Sequence, residues 1–174
     1  LIVERIQYMV DSAVQLIVDS FRGKIPAEVI IFIISMIPIL ELRGSILAAG
    51  FMNVSFLPTY VSAVIGNMLP IPFILLFIEK LFSWMKTTKH LGKIANRFEE
   101  RALSKREQID KYGGWGLFLF VAIPLPGTGA WTGALLAALL GMKPSKALGW
   151  IFLGVLAAGL VVSLLSFGLI KNIF

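Results

Sequence analysis

The stretch IPILELRGSI, residues 37–46, decides the fold because it puts charge where the surrounding sequence has none. Within residues 29–78, Glu41 and Arg43 are the only charged side chains. A carboxylate and a guanidinium are costly to place among lipid tails and ordinary at a surface in water. What this pair does therefore depends on the solvent around it, which the composition indicates.

The chain is apolar, and its charges are segregated. Of its 174 residues, 57% are hydrophobic and 15% are charged, whereas soluble domains carry about 25% charged residues. The blocks 29–78 and 112–170 contain four charged residues between them: Glu41, Arg43, Lys143 and Lys146. This distribution predicts a multi-pass integral membrane protein in contact with membrane lipid.

The basic residues cluster in 80–111, beside apolar blocks. This placement predicts a cytoplasmic segment that faces anionic lipid, and we expect no nucleic-acid partner. The sequence has no cysteine and one histidine, which excludes disulfides and disfavours metal sites. No nucleophile–base pair or phosphate-binding loop is evident, so we expect neither an enzyme nor a cofactor.

The region around Pro38 is too short on either side to cross a bilayer as a helix. Residues 29–40 and 44–56 are uncharged runs of 12 and 13 residues. Twelve residues of helix are about 18 Å long, and the hydrocarbon core is roughly 30 Å thick. Because Pro38 and Gly44 weaken a helix here, we predict a re-entrant helical hairpin with ILELRG at its tip. The alternative is one kinked helix over residues 25–52.

Residues 112–142 repeat this design. Twelve residues precede the sequence PLPG at 124–127, and two prolines one residue apart cannot lie in a straight helix. A second re-entrant hairpin is predicted here. The uncharged run 57–78 and the run 147–170 are each long enough to cross the membrane, and Pro70 predicts a kink in the first.

The two halves share an order of elements. Ile37-Pro38 corresponds to Ile123-Pro124 at an offset of 86 residues, and Pro58 corresponds to Pro144 at the same offset. We predict an all-α fold of two inverted repeats, each with an amphipathic helix, a re-entrant hairpin and a long transmembrane helix. The first repeat, 1–85, has these elements at 1–22, 27–52 and 57–84; the second, 86–174, has them at 86–111, 112–142 and 145–171. Four ordinary spans, with both termini in the cytoplasm, are the alternative.

The first amphipathic helix has its own pattern. Apolar residues recur at helical spacing along one face, namely Ile2, Ile6, Met9, Ala13 and Ile17. Such a helix lies in the membrane interface or packs on a partner.

The hairpin tips supply the candidate binding residues. Unwound backbone in a membrane has to face protein or a water-filled cavity. The candidates for binding substrate or an ion are Glu41, Arg43, Gly44, Asn67, Pro126, Gly127, Thr128, Gly129, Trp131 and Thr132. Helices that begin near Arg43 or Gly44, and at Gly127 or Thr128, would direct amide groups at the tips and favour a phosphate or carboxylate. Glu41 is either a proton carrier or a structural partner of Arg43.

Three motifs resemble a known family. ELRG (41–44), GN (66–67) and PLPGTGAWTGA (124–134) are similar to the small multidrug export proteins of bacteria and archaea, which distantly resemble the DedA/VTT superfamily. The resemblance implies export of small toxic compounds from a prokaryotic cell or, by the DedA analogy, transport of lipid-linked phosphates. It matches Glu41 to the acidic residue of the first DedA hairpin and Pro126-Gly127 to the break of the second. DedA proteins have an arginine in the second hairpin; 112–142 has none, and Arg43 could substitute from the first.

These observations predict a small secondary transporter of the prokaryotic inner or plasma membrane, with its site at the two tips. Transport is coupled to protons if Glu41 is the proton carrier and not only a structural partner of Arg43. A DedA-like flippase of lipid-linked phosphates and a non-coupled scramblase or structural membrane protein remain alternatives. A chain with two full spans is too small to enclose a pathway alone, so a homodimer is expected.

Overall fold

The structure is a computed structural model that describes residues 2–88, 92–93, 96–97, 100, 112–125 and 127–173. Within these residues the chain forms eight α-helices of nine residues or more and no strand, so the predicted all-α class is confirmed there. The helices are α1 (Ile2–Phe21), α2 (Ala27–Met36), α3 (Glu41–Met52), α4 (Phe56–Met68), α5 (Ile71–Lys86), α6 (Gly114–Ala122), α7 (Ala130–Leu139) and α8 (Pro144–Ile173). Most of the predicted amphipathic helix 86–111 lies outside the described residues.

Among the residues that the structure describes, two stretches are long and apolar enough to cross a membrane, judged by length and composition. They are Phe56–Ile78, with 23 residues, and Pro144–Phe167, with 24. Only 33% of an apolar 18-residue window within each is buried in the protein, and Leu57 and Leu164 are 66% and 71% exposed. A core helix of a soluble protein would bury most of this apolar surface. The exposed apolar faces therefore indicate a membrane protein.

The first of these stretches is interrupted. The predicted span 57–84 is two helices, α4 and α5, separated at Leu69 and Pro70. Pro70 has no backbone N–H to donate, and a second proline at 72 lies in the first turn of α5. The predicted kink is thus a break in the helix, whereas the predicted span 145–171 is continuous within α8.

The contacts divide the chain into two compact units. Unit 1 contains Leu1–Leu69, Pro124–Pro126 and Val155–Phe174; unit 2 contains Pro70–Ile123 and Gly127–Gly154. Each unit takes segments from both halves of the chain. The units therefore differ from the repeats 1–85 and 86–174, and the duplication stays a prediction based on element order.

The core of unit 1 lies between α1, α2 and α3. It is a cluster of buried aliphatic side chains, Val14, Val18, Ile30, Ile34, Leu40 and Ala48. Helix α1 contributes Val14 and Val18 to this cluster, while Met9 on its predicted apolar face is 69% exposed. Two residues of the predicted apolar stripe, Ala13 and Ile17, are partly buried against the cluster, so this part of the stripe packs on the neighbouring helices.

Helices α2 and α4 approach each other closely in unit 1. The Ser35 hydroxyl donates a hydrogen bond of 2.5 Å to the carbonyl oxygen of Ala63. One turn along α4, a β-carbon added to Gly66 would overlap the carbonyl group of Phe32. Small residues that let two backbones touch are typical of helix packing in membranes. This contact fixes α2 on the first half of the interrupted span.

Unit 2 is built around α7, which packs against α5 and α6. The buried face of α7 consists of small residues and one leucine, namely Ala130, Gly133, Ala134, Leu136, Ala137 and Ala138. A β-carbon on Gly133 would lie 2.6 Å from Val121 of α6, so the glycine permits the close packing of the two helices.

Candidate functional site

The first break in the apolar sequence is a tight turn, residues 37–40, between α2 and α3. Helix α2 ends because Ile37 is extended, with φ −76° and ψ 126°. The amide of Glu41 then donates to the carbonyl of Ile37 at 2.8 Å, and Leu40 already has helical dihedral angles. Helix α3 therefore begins at Glu41, earlier than the predicted start near Arg43 or Gly44. Pro38 and Ile39 form the tip, and Ile39 is 80% exposed.

Glu41 combines burial with an unusual backbone. Its side chain is 6% exposed, and its φ of 48° lies in the left-handed region. That region costs a non-glycine residue roughly 1–2 kcal/mol. A buried acid held in a strained conformation is a feature found at functional sites, where the surrounding fold maintains it.

Arg43 follows in the first turn of α3 and is half-buried. Its guanidinium donates from Nη1 to the carbonyl oxygen of Leu125, which lies in the second break. Both residues belong to unit 1. The charges of Glu41 and Arg43 interact, so the two side chains share one electrostatic environment. The structure thus brings together the acid, the guanidinium and a main-chain carbonyl.

The second break runs from Ile123 to Gly129, between α6 and α7. Ile123 is extended and ends α6, and the Thr128 hydroxyl donates to the Ile123 carbonyl at 2.7 Å. Gly127 and Gly129 have φ of 81° and 139°, which favour glycine. Because of these angles α7 begins at Ala130, not at Gly127 or Thr128 as predicted. Pro126 lies outside the described residues.

The remaining candidates have different positions. Gly44 is buried, and a β-carbon there would lie 2.8 Å from Leu40, so its visible role is packing. Asn67 is 2% exposed in unit 1, and its Oδ1 has no hydrogen-bond partner. Trp131 and Thr132 lie half-buried in the first turn of α7.

The candidates are divided between the units. Glu41, Arg43, Gly44 and Asn67 belong to unit 1, whereas Gly127, Thr128, Gly129, Trp131 and Thr132 belong to unit 2. The sequence reasoning missed Leu125, because a main-chain acceptor carries no side-chain signal. Its position between two prolines is the signal that the sequence offers, because prolines interrupt the hydrogen bonding of a helix and leave carbonyl groups available. Among the residues described, no three His, Asp or Glu side chains are grouped to hold a metal ion.

A comparison with protein families matches residues 41–161 to a family described as "Putative small multi-drug export protein". The match covers more than half of the chain. The chain belongs to this family. The matched region starts at Glu41, directly after the first break, and includes Arg43 and the whole second break. Neither the curated proteins nor the solved structures gave a match.

Proposed function

We propose that the chain is a secondary transporter that exports small molecules across the prokaryotic inner or plasma membrane, with its site at Glu41 and Arg43. One observation carries the proposal: Arg43 donates to the carbonyl of Leu125 in the second break while its neighbour Glu41 is buried. A charged pair next to unwound backbone is what transporters use to bind substrates and ions within the bilayer. Family membership supports the export of small compounds.

The short helices support a re-entrant arrangement. Helices α2 and α3 have 10 and 12 residues, and α6 and α7 have 9 and 10. Each is therefore about 14–18 Å long, half of the roughly 30 Å needed to cross. We propose that each pair enters the bilayer and returns, and that the two pairs enter from opposite sides as inverted repeats.

Glu41 gives the proposed transporter a means of coupling. A protonated Glu41 no longer neutralises Arg43, which leaves the guanidinium available to an anionic substrate group. Loss of the proton restores the attraction between the two side chains and favours release. Because Glu41 and the substrate compete for the same cation, the proposed site binds the proton and the substrate together and carries both in the same direction.

The test is transport in proteoliposomes with an imposed proton gradient. Glu41→Gln keeps the size of the side chain but replaces the carboxyl group with an amide that cannot bind or release a proton. We therefore expect the fold to be intact and proton-driven transport to be abolished. Glu28→Gln is the matched control, because Glu28 is an exposed acid in the first turn of α2. Unchanged transport by the Glu41 variant would reject the carrier role.

The same contact favours a second candidate, a DedA-like flippase of lipid-linked phosphates. Arg43 donates to a carbonyl of the second break, the region where DedA proteins are similar in having an arginine. Arginine binds phosphate through two parallel hydrogen bonds, which lysine does not reproduce. Lipid flipping predicts that Arg43→Ala and Arg43→Lys both slow headgroup translocation, while the exposed Arg22→Ala does not. Translocation of every headgroup at equal rates would instead indicate a scramblase.

We also propose that the transporter is a homodimer. Two full spans and four short helices from one chain are too few to enclose a transport pathway through the membrane. Chemical crosslinking in native membranes is expected to yield a dimer at low reagent concentration. Recovery of monomer alone would contradict the proposal.

A further inference from the structure

We propose that a groove at the start of α8 binds an anionic phospholipid, with the phosphate at Lys146 and an acyl chain along the helix. The groove is a shallow, largely open depression along α8, with a volume of about 590 Å³. It is lined by Ser145, Lys146, Gly149, Trp150, Phe152 and Leu153, all within unit 2. The binding of this lipid is independent of the transport proposed for Glu41 and Arg43.

Trp150 forms a fixed wall of the groove. Its indole ring lies directly over Gly114, where any β-carbon would overlap the ring. It also packs against Trp115, with ring centroids 5.0 Å apart and the ring planes at 53°. Tryptophan side chains concentrate at the level of lipid headgroups because the ring is apolar and its N–H is polar. The pair therefore marks the depth of the headgroup at this end of α8.

The middle of the groove is open because position 149 has no side chain. A β-carbon added to Gly149 would meet no atom within 4 Å. Phe152 and Leu153 continue the apolar lining and are 43% and 48% exposed. An extended hydrocarbon chain can lie along this surface, where it covers apolar area that the protein leaves exposed.

The polar end of the groove is cationic. Lys146 is exposed at this end, and Lys143 is exposed just before α8 begins. Lysine binds phosphate as a compact charge with three donors. Each lysine near an anionic lipid surface contributes about 1 kcal/mol. A zwitterionic lipid cancels most of this attraction with its own cation, so the groove should distinguish lipids by net charge.

The experiment is native mass spectrometry of the full chain in detergent, titrated with phosphatidylglycerol or phosphatidylcholine of the same acyl composition. We expect one phosphatidylglycerol to bind several-fold more tightly than phosphatidylcholine. Lys146→Gln should reduce the preference for phosphatidylglycerol about fivefold, because the interaction of one lysine with an anionic lipid contributes about 1 kcal/mol. Lys24→Gln is the matched control, because Lys24 is an exposed lysine that binds the Ser20 carbonyl in unit 1.

A second variant tests the acyl-chain part of the groove. Gly149→Leu places an alkyl side chain in the open space at this position, so it should weaken the binding of both lipids several-fold without lowering the thermal midpoint. Equal affinity of the wild-type chain for the two lipids would overturn the proposal. So would a preference that Lys146→Gln leaves intact, or lipid binding that Gly149→Leu does not weaken.

Discussion

Gly66 shows how much can depend on the absence of one side chain. A β-carbon at this position would overlap the carbonyl of Phe32, and both groups belong to helix backbones that cannot move independently. Gly66→Ala should force α2 and α4 apart and lower the free energy of unfolding by about 1–3 kcal/mol, the usual cost of overpacking. Unfolding in mixed micelles, followed by circular dichroism, measures the change.

Gly149→Ala is the matched control for Gly66. It makes the same chemical change in a helix, where the new β-carbon meets nothing within 4 Å. Alanine favours a helix over glycine by about 1 kcal/mol, so this variant should be neutral or more stable. Equal effects of the two variants would show that the close approach at Phe32 does not limit the packing.

At the same scale, the sequence identified the charged residues but not their partners. Glu41 and Arg43 stand out because no other charge lies near them in the chain. The carbonyl of Leu125, which accepts from Arg43, is 82 residues away and belongs to the backbone. No local pattern encodes such a pair, since it exists only once the chain has folded.

Ser35 provides a test at the scale of whole elements, because its hydroxyl connects α2 to α4. Ser35→Ala removes the hydrogen bond that the Ala63 carbonyl oxygen accepts from the serine hydroxyl. Interhelical bonds of this kind contribute about 0.6–2 kcal/mol in membrane proteins, so stability should fall by a similar amount. The same unfolding assay applies.

Ser20→Ala is the control for Ser35. Its hydroxyl donates to the Leu16 carbonyl within α1, and the residue is exposed. The variant removes a hydrogen bond within one helix and none between helices. We therefore expect little change in the free energy of unfolding. If both serine variants were equally stable, the α2–α4 contact would owe its strength to apolar packing alone.

The ends of the helices show which parts of an element a sequence can predict. Proline predicted the breaks near Pro38 and Pro124, because a ring without an N–H cannot continue the helical pairing. The starts of α3 and α7 were each misplaced by two or three residues. Leu40 keeps helical angles, which moves the start of α3 earlier, and Gly129 has a φ of 139°, which moves the start of α7 later. Glycine permits the angle at Gly129, but residue type alone does not specify the conformation of either residue.

At the scale of the whole molecule, composition indicated the solvent. The long apolar stretches were evident from the sequence, and the structure adds that only 33% of an apolar window within each is buried in the protein. Periodicity alone did not predict the division into two units, because each unit combines segments from both halves of the chain. In a membrane, lipid covers the apolar surface that the protein leaves exposed. The side of the membrane on which each terminus lies then distinguishes re-entrant hairpins from four ordinary spans.

The inverted arrangement predicts that both termini lie outside the cell. The chain has no cysteine, so Ile2→Cys and Ile173→Cys each introduce a single thiol. An impermeant maleimide added to spheroplasts should label both variants, because two full spans return the chain to its starting side and re-entrant pairs add no crossing. Arg97→Cys, in the basic segment, should react only after permeabilisation. Protection of both termini would indicate four ordinary spans, and labelling of one alone would require an odd number of crossings; either outcome contradicts paired re-entry from opposite faces.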